Sequence, residues 1–209
     1  MEENITYERL RTSKQVHFDT KVFHVADLSV EERDGLFRTY GYQMENVQVL
    51  DEWEQCLFNG QEIISPAFYI QMLYKIKGTI VPEVFTEAVG KMIKKHAVLR
   101  QNFYSSGKRY LKVTLRERSP VVLYRSLGGH PMRELDTLLE QIMEADLRRD
   151  FNLATDRLLR LAVLRTGREE YAVIVTQPQL VANGWNIHEL FQEVLANKAE
   201  IAEKETETR

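Results

Sequence analysis

Residues 158–185 read LLRLAVLRTGREEYAVIVTQPQLVANGW, and this stretch decides the fold. Residues 158–165 and 171–176 are rich in aliphatic and β-branched side chains, which is typical of buried strands. The four residues from Thr166 to Glu169 include a glycine between polar side chains and predict a turn. The sequence therefore predicts two neighbouring strands, followed by a loop from Gln177 to Trp185.

Residues upstream of this pair predict further strands and a helix. Apolar side chains occupy every second position from Phe68 to Ile76, which predicts a strand. Pro82 suits the first turn of a helix, and apolar residues recur at helical spacing from there to about Ala97. Residues 99–104 and 109–115 flank a Ser-Ser-Gly-Lys turn and predict a hairpin.

Strands and helices alternate along most of the chain. A short candidate strand at 121–124 precedes a helix whose apolar stripe runs from Leu135 to Leu147. A last helix begins near Ile187. This interleaving predicts an α/β fold, a two-layer sandwich with a mixed sheet.

The N-terminal part predicts a capped helix. Ser29 suits an N-cap, Glu32 completes a capping box three residues later, and Gly41 suits the end of the helix. A second short helix is predicted within 50–58. We divide the chain into residues 1–46, a segment for docking or linking; residues 47–200, the globular lobe; and residues 201–209, a charged tail.

Composition restricts the class of protein. The 209 residues are 44% hydrophobic and 28% charged, with a net charge of −3, so neither a nucleic-acid partner nor a membrane span is expected. Cys56 is the sole cysteine and has no electropositive neighbours in sequence, so we expect a structural role and a reducing, cytoplasmic location.

The histidines do not predict a metal site. Their spacing along the chain does not match metal-ligand patterns, and packing or surface roles are expected for them: His17, His24, His96, His130 and His188. No metal and no tightly bound cofactor is therefore expected.

Three stretches occur in a fixed order. Residues 95–103 read KHAVLRQNF, residues 150–160 read DFNLATDRLLR, and residues 178–185 read PQLVANGW. Together they resemble motifs of the condensation domains of nonribosomal peptide synthetases, of the forms RHExLRTxF, PFDL followed by GPLLR, and HHxxxDGW. The resemblance covers roughly residues 28–198.

The matches are incomplete. His96 and Arg100 match the first motif, and Gly184 and Trp185 match the last. Three positions of the last motif depart from it: Pro178 and Gln179 stand in place of its two histidines, and Asn183 stands in place of its aspartate.

The resemblance implies an N-terminal lobe of the chloramphenicol acetyltransferase-like fold, half of a two-lobe domain. In the family, pantetheine arms of carrier proteins enter the cleft between the lobes, and the second histidine helps an amine attack a thioester. Gln179 holds that position and cannot act as a general base. The family's aspartate pairs with an arginine, for which Arg100 is the candidate, with Asn183 opposite it.

Three functions remain open on this basis. The chain is a catalytically impaired module that binds carrier proteins or a C-terminal lobe; or it is a half-domain that forms amides once that lobe is supplied; or it self-associates as a homodimer. In each case the expected substrate carrier is the phosphopantetheine arm of a partner.

Overall fold

The structure, a computed structural model, describes residues 6–8, 28–58, 63–64, 68–107, 109–182 and 184–194. The strands are Thr6–Glu8 (β1), Met44–Val49 (β2), Ile63–Ile64 (β3), Tyr69–Lys77 (β4), Gln101–Ser105 (β5), Tyr110–Leu115 (β6), Val122–Ser126 (β7), Phe151–Asn152 (β8), Arg160–Arg165 (β9) and Glu170–Pro178 (β10). The α-helices are Val30–Tyr40 (α1), Glu52–Phe58 (α2), Pro82–Lys95 (α3), Met132–Leu147 (α4), Gln179–Ala182 (α5) and residues 187–194 (α6). Gly41–Gln43 and Ala97–Arg100 are 3₁₀ turns.

The larger sheet has five strands in the order β1-β4-β10-β9-β7. Strand β10 lies at its centre and pairs antiparallel with β4 on one side and β9 on the other. Strand β7 runs parallel to β9, so the sheet is mixed as predicted. The predicted hairpin of β9 and β10 therefore lies inside the larger sheet, with β10 as its central strand.

Helices cover both faces of this sheet. On one face α3 and α6 bury Phe85, Leu190 and Phe191 against strand residues such as Val173 and Val175. On the other face α4 buries its apolar stripe against the alternate residues of β9 and β10. The α/β fold with a mixed sheet is confirmed, and the predicted two layers gain a third because α4 takes the second face.

A second sheet, ordered β2-β6-β5, carries α1. Leu36 and Tyr40 of α1 pack on Val113 and Leu115 of β6. The predicted capping box is confirmed, since the Glu32 backbone N–H donates to Ser29 Oγ at 3.3 Å and the Ser29 N–H donates to Glu32 Oε2 at 2.9 Å. The division of the chain at residue 46 stays a prediction, although α1 rests on the same sheet as the later hairpin.

Strand β6 also contributes a buried ion pair. Lys112 Nζ lies 2.5 Å from Glu54 Oε1 of α2, and the two side chains are 10% and 11% exposed. The second carboxylate oxygen of Glu54 accepts the backbone N–H of Asp51. This pair fixes α2 against the sheet.

Several predicted boundaries were wrong. Helix α3 ends at Lys95, because His96 is its C-cap and Ala97–Arg100 form a 3₁₀ segment before β5. Strand β10 continues through Gln177 to Pro178, and Gln179–Ala182 form one helical turn where a loop was predicted. Strand β2 was not predicted, and it carries a register irregularity between Met44 and Asn46.

Acidification is expected to loosen the attachment of α1. Glu32 is 4% exposed, and its hydrogen bond from Arg109, opposed in part by burial, lowers the pKa of its carboxyl to about 2 from 4.5. A carboxyl with a depressed folded pKa stabilises the fold above pH 4.5 and loses that contribution as the pH falls towards 2. The free energy of unfolding, measured in urea across this pH range, should therefore depend less on pH in Glu32→Gln than in the unaltered protein. Glu87→Gln, at an exposed position of α3, is the control.

Across the described ranges, no helix is long and apolar enough to cross a membrane.

Candidate active-site loop

The central strand leads directly into the motif residues. Pro178 is buried and pairs with Tyr69 at the end of β10, and Gln179 follows, half-buried, as the first residue of α5. Leu180 and Val181 of α5 are buried in a second core with Phe103, Phe151 and Leu153, residues of the other two motifs. The three motifs quoted from the sequence therefore meet in one cluster.

Close packing against Val98 fixes the end of the loop. A Cβ placed on Gly184 would lie 2.6 Å from Val98 Cγ1 and 2.7 Å from Val98 Cβ. The space beside Val98 is therefore too small for a side chain at this position.

His96 links the loop to the neighbouring helices. Its Nδ1 lies 3.2 Å from the carbonyl oxygen of Gly184, and its Nε2 lies 3.2 Å from Glu189 Oε2 of α6. Lys95 Nζ lies 2.6 Å from the same Glu189 oxygen. The pKa of Glu189 is lowered, first by the hydrogen bond from Lys95 and also by that from His96. His96 is therefore a positioning residue for the loop.

Trp185 donates a hydrogen bond to Gln177, a residue that was predicted to lie in the loop. Its Nε1–H donates to Gln177 Oε1 at 2.7 Å, and Gln177 is 2% exposed within β10. The sequence does carry a signal for this contact, because a polar side chain such as that of Gln177 needs a hydrogen-bond partner in a buried strand. Gln177 therefore contacts Trp185 and His96 contacts Gly184, so the end of the loop is held at two adjacent residues.

Arg100 has other described partners than the one predicted. Its Nη1 donates to Glu45 Oε2 at 2.5 Å and to the carbonyl oxygens of Leu115 and Arg116. Asn183 lies outside the described residues, so the pairing of Arg100 with Asn183 stays a prediction. In the structure Arg100 ties β2 to the end of β6.

The segment after α4 keeps its turn with an amide in place of a carboxylate. Asn152 Oδ1 accepts the backbone N–H groups of Ala154 at 2.9 Å and Thr155 at 3.1 Å. Two acceptor bonds of this kind need an oxygen and no charge, so asparagine can replace the family's aspartate here.

The loop itself has little acid–base capacity. No residue from 178 to 185 has an ionisable side chain. Gln179 can donate and accept hydrogen bonds, which allows it to orient a ligand but not to take up a proton. Among the described residues no group of three or more His, Cys, Asp or Glu side chains could hold a metal ion.

A family model for the condensation domain matches residues 58–207, which is most of the chain. The chain belongs to the condensation domain family. The resemblance to the nonribosomal peptide synthetase type is thereby confirmed.

Curated relatives of this condensation domain are large synthases. A plipastatin synthase of Bacillus subtilis (strain 168) is 30% identical over 132 residues, 63% of this chain. Bacitracin synthase 3 of Bacillus licheniformis is 26% identical over 74% of the chain, and bacitracin synthase 1 of the same organism is 22% identical over 86%. The chain spans 4%, 2% and 4% of these proteins, respectively.

Solved structures confirm the fold of the lobe. A double mutant of the starter condensation domain of rhizomide synthetase RzmA, in complex with C8-CoA and Leu-SNAC, aligns with 79% of this chain at a TM-score of 0.63 and 18% identity. SgcC5 of Streptomyces globisporus aligns with 68% at a TM-score of 0.59 and 18% identity. The condensation domain described here covers 36% and 34% of those chains, the extent of one lobe of the chloramphenicol acetyltransferase-like fold.

Proposed function

We propose that this condensation-domain lobe is a catalytically impaired module that binds carrier proteins or a C-terminal lobe. The observation that carries the proposal is a motif loop that keeps its supports while its base position holds Gln179. Val98, His96 and Gln177 hold Gly184 and Trp185 in place.

Loss of the base and retention of the supports have different consequences. Removal of acid–base help costs a reaction about 10²–10⁴-fold in rate. Binding of a pantetheine arm depends instead on the shape of the loop and on hydrogen bonds from its backbone and side chains. The amide of Gln179 can still contact a thioester carbonyl or an amine.

The expected partners follow from the family. A carrier protein would present its substrate on a phosphopantetheine arm, and a C-terminal lobe would supply the second wall of the cleft. A double mutant of the RzmA domain was solved in complex with C8-CoA and Leu-SNAC. We propose that an acyl thioester lies against the Gln179 loop of this lobe.

Calorimetry against carrier proteins encoded beside this chain tests the binding proposal. The carriers are used with and without the phosphopantetheine arm, and with and without a C-terminal lobe. We expect saturable binding that the arm strengthens. Absence of binding to every carrier and every lobe, with the protein folded, contradicts the proposal.

The alternative is an amide-forming half-domain in which proximity drives the reaction. If base loss is the limiting defect, Gln179→His should raise amide formation by the complex with a C-terminal lobe by about tenfold or more. Gln179→Asn serves as the matched control, because it keeps an amide and shortens the side chain. Product is measured by mass spectrometry in a single turnover. A fast wild-type reaction that Gln179→His does not improve would favour the alternative over the impaired module. The homodimer stays a prediction.

A further inference from the structure

A cleft lies away from the motif loop, between the end of α1, the end of β6 and the segment after β8. Its volume is about 640 Å³. None of the described residues of the loop lines it. Its polar lining includes three arginines and a buried asparagine: Arg116, Arg118, Arg157 and Asn102. We call it the arginine cleft.

Arg118 is a half-buried residue that lines the arginine cleft. Its Nη1 donates to the carbonyl oxygen of Asp156 at 2.8 Å, and its Nη2 donates to Oδ1 of Asn102, which is fully buried. Its Nε is buried and has no hydrogen-bond partner. Arg118 therefore keeps a free donor in a place that water reaches poorly, at a cost in desolvation.

Other well-buried cations of the described structure have a carboxylate within 4.0 Å. Arg100 pairs with Glu45, Lys112 with Glu54, and Arg160 with Asp146. Within the described ranges, no carboxylate lies that close to Arg118. The difference sets this arginine apart, because a half-buried guanidinium without a counter-ion is costly.

The two other arginines add to the positive charge. Arg157 donates through Nε to the carbonyl oxygen of Ser119, and Arg116 donates through Nε to the carbonyl oxygen of Tyr42. Both are exposed, and neither forms an ion pair with a described carboxylate. Burial, and after it the charge of Arg157, lowers the pKa of the Arg118 guanidinium to about 10. Both guanidinium groups line the cleft, and their like charges repel each other.

Acidic groups nearby offset this charge only in part. Glu117 lines the arginine cleft and is exposed to solvent. Asp156 attracts Arg118, but its Oδ2 already accepts the backbone N–H of Asn152 at 2.8 Å. Three guanidinium groups against two exposed carboxylates leave the cleft positive.

We propose that the arginine cleft binds the phosphate group of a small phosphate ester. A planar guanidinium offers paired N–H donors that match phosphate oxygens, and hydrogen bonds to a charged acceptor are the strong ones. A phosphate dianion in the cleft would offset the repulsion between Arg118 and Arg157. A carboxylate, with one charge, would offset less. The site is separate from the Gln179 loop and does not depend on the proposed function.

Calorimetric titration of the full chain with sodium pyrophosphate and with phenyl phosphate tests this proposal, at constant ionic strength because exposed charges are screened by salt. Acetate is the carboxylate comparison. The variants are Arg118→Gln, Arg157→Gln and Arg116→Gln. Arg133→Gln is the matched control, since Arg133 is an exposed arginine of α4, paired with Glu134.

We expect saturable binding of at least one phosphate probe, with a Kd that rises tenfold or more in Arg157→Gln and stays unchanged in Arg133→Gln. Arg118→Gln should abolish binding, and the exposed Arg157 and Arg116 keep the test valid if that variant fails to fold. Absence of saturable binding up to about 10 mM probe, beyond the range of a weak site, overturns the proposal. An unchanged Kd in Arg157→Gln, or acetate binding as tightly as phosphate, also overturns it.

Discussion

Replacing Lys112 with methionine is expected to lower the free energy of unfolding by about 3–5 kcal/mol, because the change leaves the buried Glu54 carboxylate without a counter-ion. Glu54 is 11% exposed in its side chain, and Lys112 is 10% exposed. Methionine preserves most of the volume of the lysine, so lost packing contributes little. Urea denaturation followed by circular dichroism measures the effect.

Two further variants separate charge from packing at this pair. The double variant Lys112→Met with Glu54→Leu removes both charges and should recover most of the lost stability, since apolar pairs often replace buried ion pairs without loss. Lys91→Met is the control, because Lys91 pairs with Glu87 and Glu193 at the surface, where such pairs contribute about 0–1 kcal/mol. Equal effects of Lys112→Met and Lys91→Met would contradict the burial argument.

Replacing Gly184 with alanine is expected to displace the motif loop and to lower the free energy of unfolding by about 1–3 kcal/mol, the usual cost of overpacking. The new Cβ would lie 2.6 Å from Val98 Cγ1, far inside van der Waals contact. A shift of the Gly184 backbone away from Val98 would disturb the 3.2 Å contact between His96 Nδ1 and the Gly184 carbonyl oxygen. Carrier binding should therefore weaken together with stability.

Gly90 provides the matched control for this change. It lies inside α3, where an added Cβ would meet Pro120 at 3.7 Å, an ordinary contact, so Gly90→Ala should be neutral or stabilising. Val98→Ala should restore part of the stability of Gly184→Ala, because it removes the two methyl groups but leaves the Cβ of residue 98, 2.7 Å from the new Cβ. Unfolding midpoints in urea report both. No loss in Gly184→Ala would mean that the loop tolerates the displacement.

Periodicity predicted most of the large sheet and its helices. Strand β4 and helices α3 and α4 carry clear repeats, and β9 and β10 are rich in aliphatic and β-branched residues, so all five were visible in the sequence. Strand β2 was missed because the adjacent polar residues Glu45 and Asn46 interrupt its alternation, where the register also shifts. Strands β3 and β8 are two residues each, too short for any repeat.

The motif loop was only partly predictable. Its residues could be identified from their order, because Gly184 and Trp185 keep the family pattern. The supports of the loop could not, since Val98 and Gln177 act through distances that spacing along the chain does not give. The described contacts of Arg100 were missed for the same reason: Glu45 lies in the unpredicted strand β2.

Strand β10 pairs along its whole length with β4, whose residues are about a hundred positions earlier in the chain. Closing so long a segment has an entropic cost that must be met before the pairing stabilises the sheet. During synthesis β4 therefore waits for about a hundred further residues to emerge before its central neighbour arrives. The Gln179 turn, which continues from β10, follows that pairing strand along the chain.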